Sequence, residues 1–135
     1  MTNAVFLDSG IFIAFLNKRD RWHVQAAALF GETPPSWSTS MLVVSETYSW
    51  FLHKMGEEAA RTFRQFVDSL EKLRVFDVAH EHHRDVATML DRHRGAKLTY
   101  VDASSLVFMA RHHIEQVWST DHHLGLFGAE VHPRA

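Results

Sequence analysis

The sequence predicts an α/β protein of three layers (α/β/α), in which a parallel sheet lies between two layers of helices. Short apolar runs typical of buried strands alternate along the chain with longer segments in which apolar residues recur at helical spacing. The loops between them are short, and parallel strands require crossover connections that are usually helices. This alternation therefore favours one parallel sheet with helices on both faces.

The first half of the chain contains two predicted strands and four predicted helices. The run at 4–7 is apolar throughout, as expected of a strand buried on both faces, and the chain turns after it at Asp8. Ser9 and Asp20 stand where they could cap the helices that follow, and Gly56 separates two longer helices. The predicted elements are a strand at 4–7, helices at 10–18 and 21–30 (the second closed by Pro34-Pro35), a strand at 36–40, and helices at 41–55 and 57–73.

The second half continues the alternation of strands and helices. Gly95 is placed to end a polar helix, and Thr99 is placed to open the next one. The apolar run before Asp121 predicts a strand that ends near this acid. The predicted elements are a strand at 74–78, helices at 80–93 and 99–113, and strands at 116–120 and 129–132.

Length and composition restrict the class of protein. A chain of 135 residues can bury one hydrophobic core but not two, so we expect a single domain over 1–135. Cysteine is absent, which excludes a disulfide scaffold and favours a cytoplasmic location. The apolar runs fall short of the roughly 18 residues that cross a bilayer. Lys and Arg number 14 against 16 Asp and Glu, so any contact with nucleic acid must be local.

Four carboxylates are distinguished by their positions. Asp8 and Asp121 each follow a predicted strand, and open parallel sheets bind ligands at the carboxyl ends of their strands. Glu46 and Asp102 lie on predicted helices, each among apolar neighbours on its own face. A carboxylate buried without a partner is costly or becomes protonated, so such positions need a cation, hydrogen bonds or a solvated pocket. A shared divalent metal ion would satisfy all four at once.

Each acid also has a simpler explanation when it is taken alone. Asp102 closes a helix capping box that begins at Thr99. Asp8 and Asp121 could be helix caps or turn residues. Glu46 could pair with a buried arginine or with a tyrosine hydroxyl. The four acids together, in this order and context, favour a common metal site.

The segments that carry these acids resemble the four acidic motifs of PIN domains. The segments are 5–10 (VFLDSG), 45–46 (SE), 98–105 (LTYVDASS) and 119–124 (STDHHL). The last two are most similar to VapC-type toxins of VapBC-type toxin–antitoxin pairs. The resemblance covers nearly the whole chain and implies a sheet with strand order 3-2-1-4-5. It also implies a metal-dependent endoribonuclease that cleaves RNA, frequently a homodimer, inhibited by a protein antitoxin.

The same resemblance assigns a site for Mg²⁺ or Mn²⁺ to the four acids. By this carry-over the catalytic and metal-binding residues are Asp8, Glu46, Asp102 and Asp121. Ser9 and Thr120 match small hydroxyl positions that are often beside this site. His123-Leu124 stands where an aromatic residue often follows the fourth acid, so the local loop is expected to differ.

Two groups of basic residues are candidates for contact with RNA phosphates. The first group, upstream of the third acid, is Arg92, Arg94 and Lys97, and the second is Lys18, Arg19 and Arg21. Either group could equally be a solvated surface. The histidines at 80, 82 and 83 resemble a zinc tract, but the absence of cysteine and their place at a helix start favour a solvated face.

Three other functions compete with a toxin ribonuclease. A phosphatase of the haloacid-dehalogenase type needs a second acid two positions after the nucleophilic aspartate, and Gly10 stands there. A free-standing PIN ribonuclease of RNA processing would have the same acids. A catalytically silent α/β interaction module is disfavoured because all four acids are present.

Overall fold

A five-stranded parallel sheet in the order β3-β2-β1-β4-β5 forms the centre of the molecule. The computed structural model describes residues 4–32 and 36–135. The strands are β1 (Ala4–Leu7), β2 (Ser36–Ser40), β3 (Arg74–Phe76), β4 (Gln116–Trp118) and β5 (Glu130–His132). The predicted α/β class and the strand order implied by the resemblance are both confirmed.

Helices connect the strands and cover the two faces of the sheet. They are α1 (Ser9–Leu16), α2 (His23–Phe30), α3 (Met41–Met55), α4 (Glu57–Ser69), α5 (His80–Arg92), α6 (Tyr100–Arg111) and a short 3₁₀ helix, η1 (His122–Phe127). Within the described ranges, none of these helices combines the length and the apolar character needed to cross a membrane.

Several predicted boundaries are wrong by a few residues. The helix predicted at 57–73 ends at Ser69, because the chain turns through Lys72, whose φ is +63°, to enter β3. Both β3 and β4 are shorter than predicted, and the end predicted for β4 becomes the approach to η1. The sequence did not predict η1, since its six residues are too few to show a helical period.

Two of the predicted caps have other roles. Ser9 is the first residue of α1 and not its cap. Asp20 accepts a bond of 2.8 Å from the Trp22 amide, but α2 starts later, at His23. The cap predicted at Thr99 is confirmed. The expectation that Pro34-Pro35 ends the second helix lies outside the described residues.

Aromatic side chains pack α1, the helix that follows β1, against α3 and α4. Phe12 of α1 contacts Phe63 of α4 edge to face, with ring centroids 5.4 Å apart, and Phe51 of α3 stacks on Phe63 at 5.7 Å. All three rings are buried. Burying a side chain of this size stabilises a fold by roughly 2–3 kcal/mol, so α1 is held firmly against both α3 and α4.

His82 is buried, which corrects the solvated face predicted for residues 80–83. It is 2% exposed, whereas His80 and His83 are exposed as expected. Its ring stacks on Phe108 of α6 at 3.9 Å, and its Nε2 lies 2.6 Å from the Ser104 hydroxyl. The prediction rested on the position of His82 at the start of α5, but His82 stands four residues before the buried Val86 and shares the face of α5 that packs against α6.

The burial of His82 predicts a dependence of stability on pH. Burial and the positive charge of Arg111 lower the pKa of His82 below its usual 6.5, and Asp85 opposes the shift. Because the folded protein disfavours the imidazolium, this stability is present above the ordinary pKa and is lost as the pH falls below it.

We therefore expect protonation of His82 to contribute a fall in melting temperature as the pH is lowered from about 7 to about 5, a contribution that opposes that of Asp8. In His82→Phe the ring can still stack on Phe108 but cannot be protonated, so the fall should be smaller. Circular dichroism melts of both proteins over this pH range check the prediction. Parallel curves for the two proteins would contradict it.

Candidate active site

Asp8 is buried at the carboxyl end of β1 and is held from the neighbouring strand. Its amide donates to the Trp118 carbonyl at 3.1 Å, which continues the β1–β4 ladder. The Ser119 hydroxyl donates to Asp8 Oδ2 at 2.7 Å. The side chain is 4% exposed, so its carboxylate has little contact with bulk water.

The charge on Asp8 is unfavourable in the protein alone. Burial, together with the negative charges of Asp102 and Glu46, raises the pKa of Asp8 to about 6 from an ordinary 3.8. Hydrogen bonds from the Ser119 hydroxyl and the Ser9 amide oppose the shift but do not cancel it. Asp102 and Glu46 are therefore near enough to Asp8 to repel it. These three predicted acids are neighbours, although their side chains do not converge as a metal site would require.

Glu46 belongs to this group but is exposed, which corrects the expected apolar surroundings. It lies on α3, whose buried face is formed by Val43, Thr47 and Phe51. The Ser9 hydroxyl donates to Glu46 Oε1 at 2.8 Å. The described partner of Glu46 is therefore this serine, in place of the buried arginine or tyrosine that was considered. Ser9 thus links the start of α1 to the second acid.

Asp102 is half-buried in the first turn of α6. Its amide donates to the Thr99 hydroxyl at 3.0 Å, so Thr99 provides the helix cap. None of the hydrogen bonds described for the chain uses the carboxylate oxygens of Asp102. These oxygens remain available to a ligand at the site.

Asp121 has the turn role that was considered as its alternative. Its Oδ1 accepts from the His123 amide at 3.0 Å and caps η1. It is exposed, and it is not among the groups whose charge raises the pKa of Asp8. His123, where the local loop was expected to differ, lies within η1. Asp121 lies beside the other acids without joining their closest group.

Ser119 is a site residue that the sequence did not reveal. It is fully buried, and its hydroxyl donates to Asp8 while accepting from the Asp121 amide at 2.9 Å. Its own amide donates to the His132 carbonyl at 2.8 Å. One side chain therefore connects the first and fourth acids. The sequence shows a hydroxyl residue directly after the predicted strand, but the resemblance assigned the hydroxyl position to the next residue, Thr120.

Thr120 packs directly against Gly10 at the start of α1. A Cβ atom added to Gly10 would lie 2.4 Å from the Thr120 hydroxyl and 3.1 Å from its amide nitrogen. Only glycine fits here without movement of its neighbour. The turn after β1 and the turn after β4 are therefore in close contact beside Asp8.

The side chains suit a hard divalent cation in type but are not gathered into a finished site. Carboxylate oxygens are the ligands that Mg²⁺ prefers, and burial with two nearby negative charges disfavours the ionised form of Asp8 and raises its pKa to about 6. Within residues 4–32 and 36–135, no three His, Asp or Glu side chains converge closely enough to hold a metal ion as they stand. A bound cation would have to draw the carboxylates together.

The predicted basic residues divide between two places. Arg92 lines a cleft of about 320 Å³ with Glu115 and Ala129, which precede β4 and β5. Arg94 and Lys97 are exposed on the loop that leads to α6. None of the four acids lines the cleft that contains Arg92.

Comparison with known proteins identifies the family. The sequence matches the PIN domain over residues 5–128. The chain belongs to the PIN-domain family. It is 27% identical over 130 residues to the 23S rRNA-specific endonuclease VapC20 of Mycobacterium tuberculosis, covering 96% of this chain and 98% of that protein. The resemblance predicted from the four acidic segments is confirmed.

Solved structures agree with the assignment to the PIN family. The crystal structure of M. tuberculosis VapC20, a sarcin–ricin loop cleaving toxin, matches with a TM-score of 0.87 at 26% identity, over 93% of this chain and 96% of that one. VapBC2 from Rickettsia felis, bound to promoter DNA, matches at 0.68 and 11% identity over 95% and 96%. A toxin–antitoxin complex from Klebsiella pneumoniae matches at 0.62 and 15% identity over 87% of each chain. The last two show the fold alone.

Asp8→Asn should separate catalysis from stability in this PIN domain. Because the pKa of Asp8 is raised to about 6, its stabilising contribution is present at low pH and is lost as the pH rises through that value. The ionised group costs up to about 3 kcal/mol. Without metal at neutral pH, the variant should melt at the same temperature as the wild type or higher.

Melting curves in EDTA and in Mn²⁺ measure both effects. Mn²⁺ should stabilise the wild type by mass action and Asp8→Asn much less. The matched control is Asp68→Asn, which removes an exposed carboxylate from α4. An Asp8→Asn protein that unfolds, with no effect of metal on the wild type, would make Asp8 a structural residue.

Gly10→Ala should disturb the contact between the two turns. The added methyl group clashes with Thr120, and overpacking of this kind costs about 1–3 kcal/mol. Thr120→Ala removes the hydroxyl that the methyl group meets, so the double variant should recover part of the loss. Urea unfolding of the three variants gives the coupling energy. Strictly additive losses would mean that the two residues do not meet.

Proposed function

We propose that this PIN domain is a divalent-metal-dependent endoribonuclease and the toxin of a type II toxin–antitoxin pair. The supporting observation is the buried Asp8 at the end of β1, repelled by Asp102 and Glu46, in a chain that matches VapC20 over nearly its full length. PIN nucleases are typically metal-dependent. A free-standing PIN ribonuclease is the second candidate, since nothing in the acidic site itself depends on an antitoxin.

The acids have different roles in this proposal. Asp8 and Asp102 are the primary ligands, because Ser119 fixes one oxygen of Asp8 and the carboxylate of Asp102 has no described partner. Glu46, positioned by Ser9, completes the negative charge at the site. Asp121 retains its cap on η1 and orients the hydrated ion from the rim.

The proposed reaction is hydrolysis by water. Mg²⁺ or Mn²⁺, when bound, supplies Lewis acidity that lowers the pKa of a coordinated water and offsets charge on the phosphate. The water oxygen bonds to phosphorus and gives up a proton, the bond from phosphorus to the ribose 3′ oxygen breaks, and that oxygen takes up a proton. No side chain of the chain serves as a nucleophile.

Ribosomal RNA is the first substrate to examine. VapC20 is described as specific for 23S rRNA and as cleaving the sarcin–ricin loop. We extend this substrate to the present chain on the strength of 27% identity and a TM-score of 0.87. An RNA substrate also places the activity in the cytoplasm.

The proposed partners are an antitoxin and a second copy of the chain. The R. felis and K. pneumoniae structures are VapBC or toxin–antitoxin complexes, and they share this fold. We propose a protein antitoxin on that basis, and a homodimer on the resemblance to VapC-type toxins, with one nuclease domain over 1–135 in each copy. A neighbouring gene for a short DNA-binding protein, and growth arrest on expression without it, would favour the toxin over the free-standing ribonuclease.

We expect RNA cleavage in Mg²⁺ or Mn²⁺ that EDTA abolishes and that leaves 5′-phosphate and 3′-hydroxyl ends. These ends follow from attack by water in place of the ribose 2′-hydroxyl. End-group analysis of a cleaved rRNA fragment decides the matter. Cyclic phosphates from a sample free of contaminating ribonuclease would rule out this mechanism.

Asp8→Asn and Asp102→Asn should both abolish this cleavage. Asp68→Asn should retain it, because it makes the same chemical change on an exposed part of α4. Equal activity in all three variants would show that the acidic site is not the active site, and would leave the interaction module as the better function.

A further inference from the structure

The loop between α5 and α6, residues 93–99, leads into the helix that carries the third acid, Asp102. At its end, Thr99 caps α6 at the amide of Asp102. At its start, the His93 ring meets Phe127 of η1 edge to face, with centroids 4.9 Å apart. Asp121 caps the other end of η1. The 93–99 loop therefore starts beside the end of η1 and finishes at the cap of the helix that carries Asp102.

The direction of the loop orders its residues relative to the acids. Phe127 lies close to the start of β5, whereas Asp102 interacts with Asp8 at the end of β1. Since the strands are parallel, the loop passes from the amino side of the sheet at His93 to the carboxyl side at Thr99. Lys97 is thus nearer to the acids than Arg94 is.

The backbone of the loop is defined by local contacts. The Ala96 amide donates to the His93 carbonyl at 3.1 Å, and Gly95 has a φ of +87°. Lys97 also has a positive φ, +57°, which is uncommon for a residue with a side chain. Lys72 and His113 share this conformation. What distinguishes Lys97 is its place two residues before the cap of the Asp102 helix.

The charge of the loop suits a polyanion. Arg94 and Lys97 are exposed, and none of the three ion pairs found in the described part of the chain uses either residue. The chain has a net charge of −2 and the active site is acidic, so RNA must be held by local cations. Arg92 is exposed too, but it lines a cleft that also contains Glu115 and none of the four acids.

We propose that the 93–99 loop is a binding site for the RNA backbone, in which Lys97 and Arg94 contact successive phosphates of the strand that enters the acidic site. This inference rests on the proposed ribonuclease function and adds the path of the substrate to it. Arg92, although adjacent in sequence, does not take part. The path is along η1, from the acids toward Phe127.

Binding measured without metal tests the path separately from cleavage. The probe is a fluorescently labelled, single-stranded rRNA fragment, and its affinity is measured in EDTA over a range of salt concentrations. The variants are Lys97→Gln and Arg94→Gln, with Arg92→Gln as the matched control. Each phosphate contact contributes about 0.7 to the slope of log affinity against log salt for a single strand.

Lys97→Gln and Arg94→Gln should each reduce this slope by about 0.7, and the double variant by about 1.4. Arg92→Gln should leave the slope unchanged and should keep full cleavage in Mn²⁺. Because Lys97 is nearer to the acids, Lys97→Gln should also lower cleavage at saturating RNA more than Arg94→Gln does. Melting temperatures equal to that of the wild type show that the variants are folded.

Unchanged slopes for both variants, with wild-type RNA cleavage intact, would overturn the path and leave the proposed function standing. The proposed path would also be overturned if Arg92→Gln reduced the slope of log affinity against log salt. The same holds if only variants of Lys18, Arg19 and Arg21 reduced it, because the RNA would then be bound elsewhere. Absence of metal-dependent cleavage in the wild type would instead refute the ribonuclease function.

Discussion

The hydrogen bond from Ser119 to Asp8 joins the ends of β1 and β4, and the arrangement of the site depends on it. Parallel pairing sets Asp8 beside Ser119 as the next step of the ladder. The Ser119 hydroxyl oxygen accepts a hydrogen bond from the Asp121 amide. Its single hydrogen is therefore directed to Asp8. The same bond therefore orients the buried carboxylate and the start of η1.

The site is stable because the surrounding fold supports an unfavourable charge. Aromatic packing of Phe12 against Phe63 holds α1, and hence the Ser9 link to Glu46, whatever the state of Asp8. A bound cation would remove the repulsion among the acids, and this relief would favour its binding. A protein that had relieved the repulsion with a buried arginine would have no need of metal.

Charge is distributed locally, which reconciles an acidic chain with an RNA substrate. The acids lie at the carboxyl edge of the sheet. The exposed cations Arg94 and Lys97 lie on the 93–99 loop, a short basic wall that leads to this edge. A general positive field would attract any polyanion, whereas a short basic wall beside the acids holds a strand only where it can be cut. Gly95, with a φ of +87°, lies in the turn of this loop.

The sequence by itself predicted most of the elements and singled out the four acids, because both depend on local patterns and motifs. The apolar run before Asp8 specifies a buried strand, and Thr99 specifies a helix start, with no help from distant residues. Tertiary structure alone decided which residues meet. Ser119 became a site residue because β4 pairs with β1, and the ring of His82 stacks on Phe108 because α5 packs against α6. Contacts between residues far apart in sequence leave no period or spacing to detect.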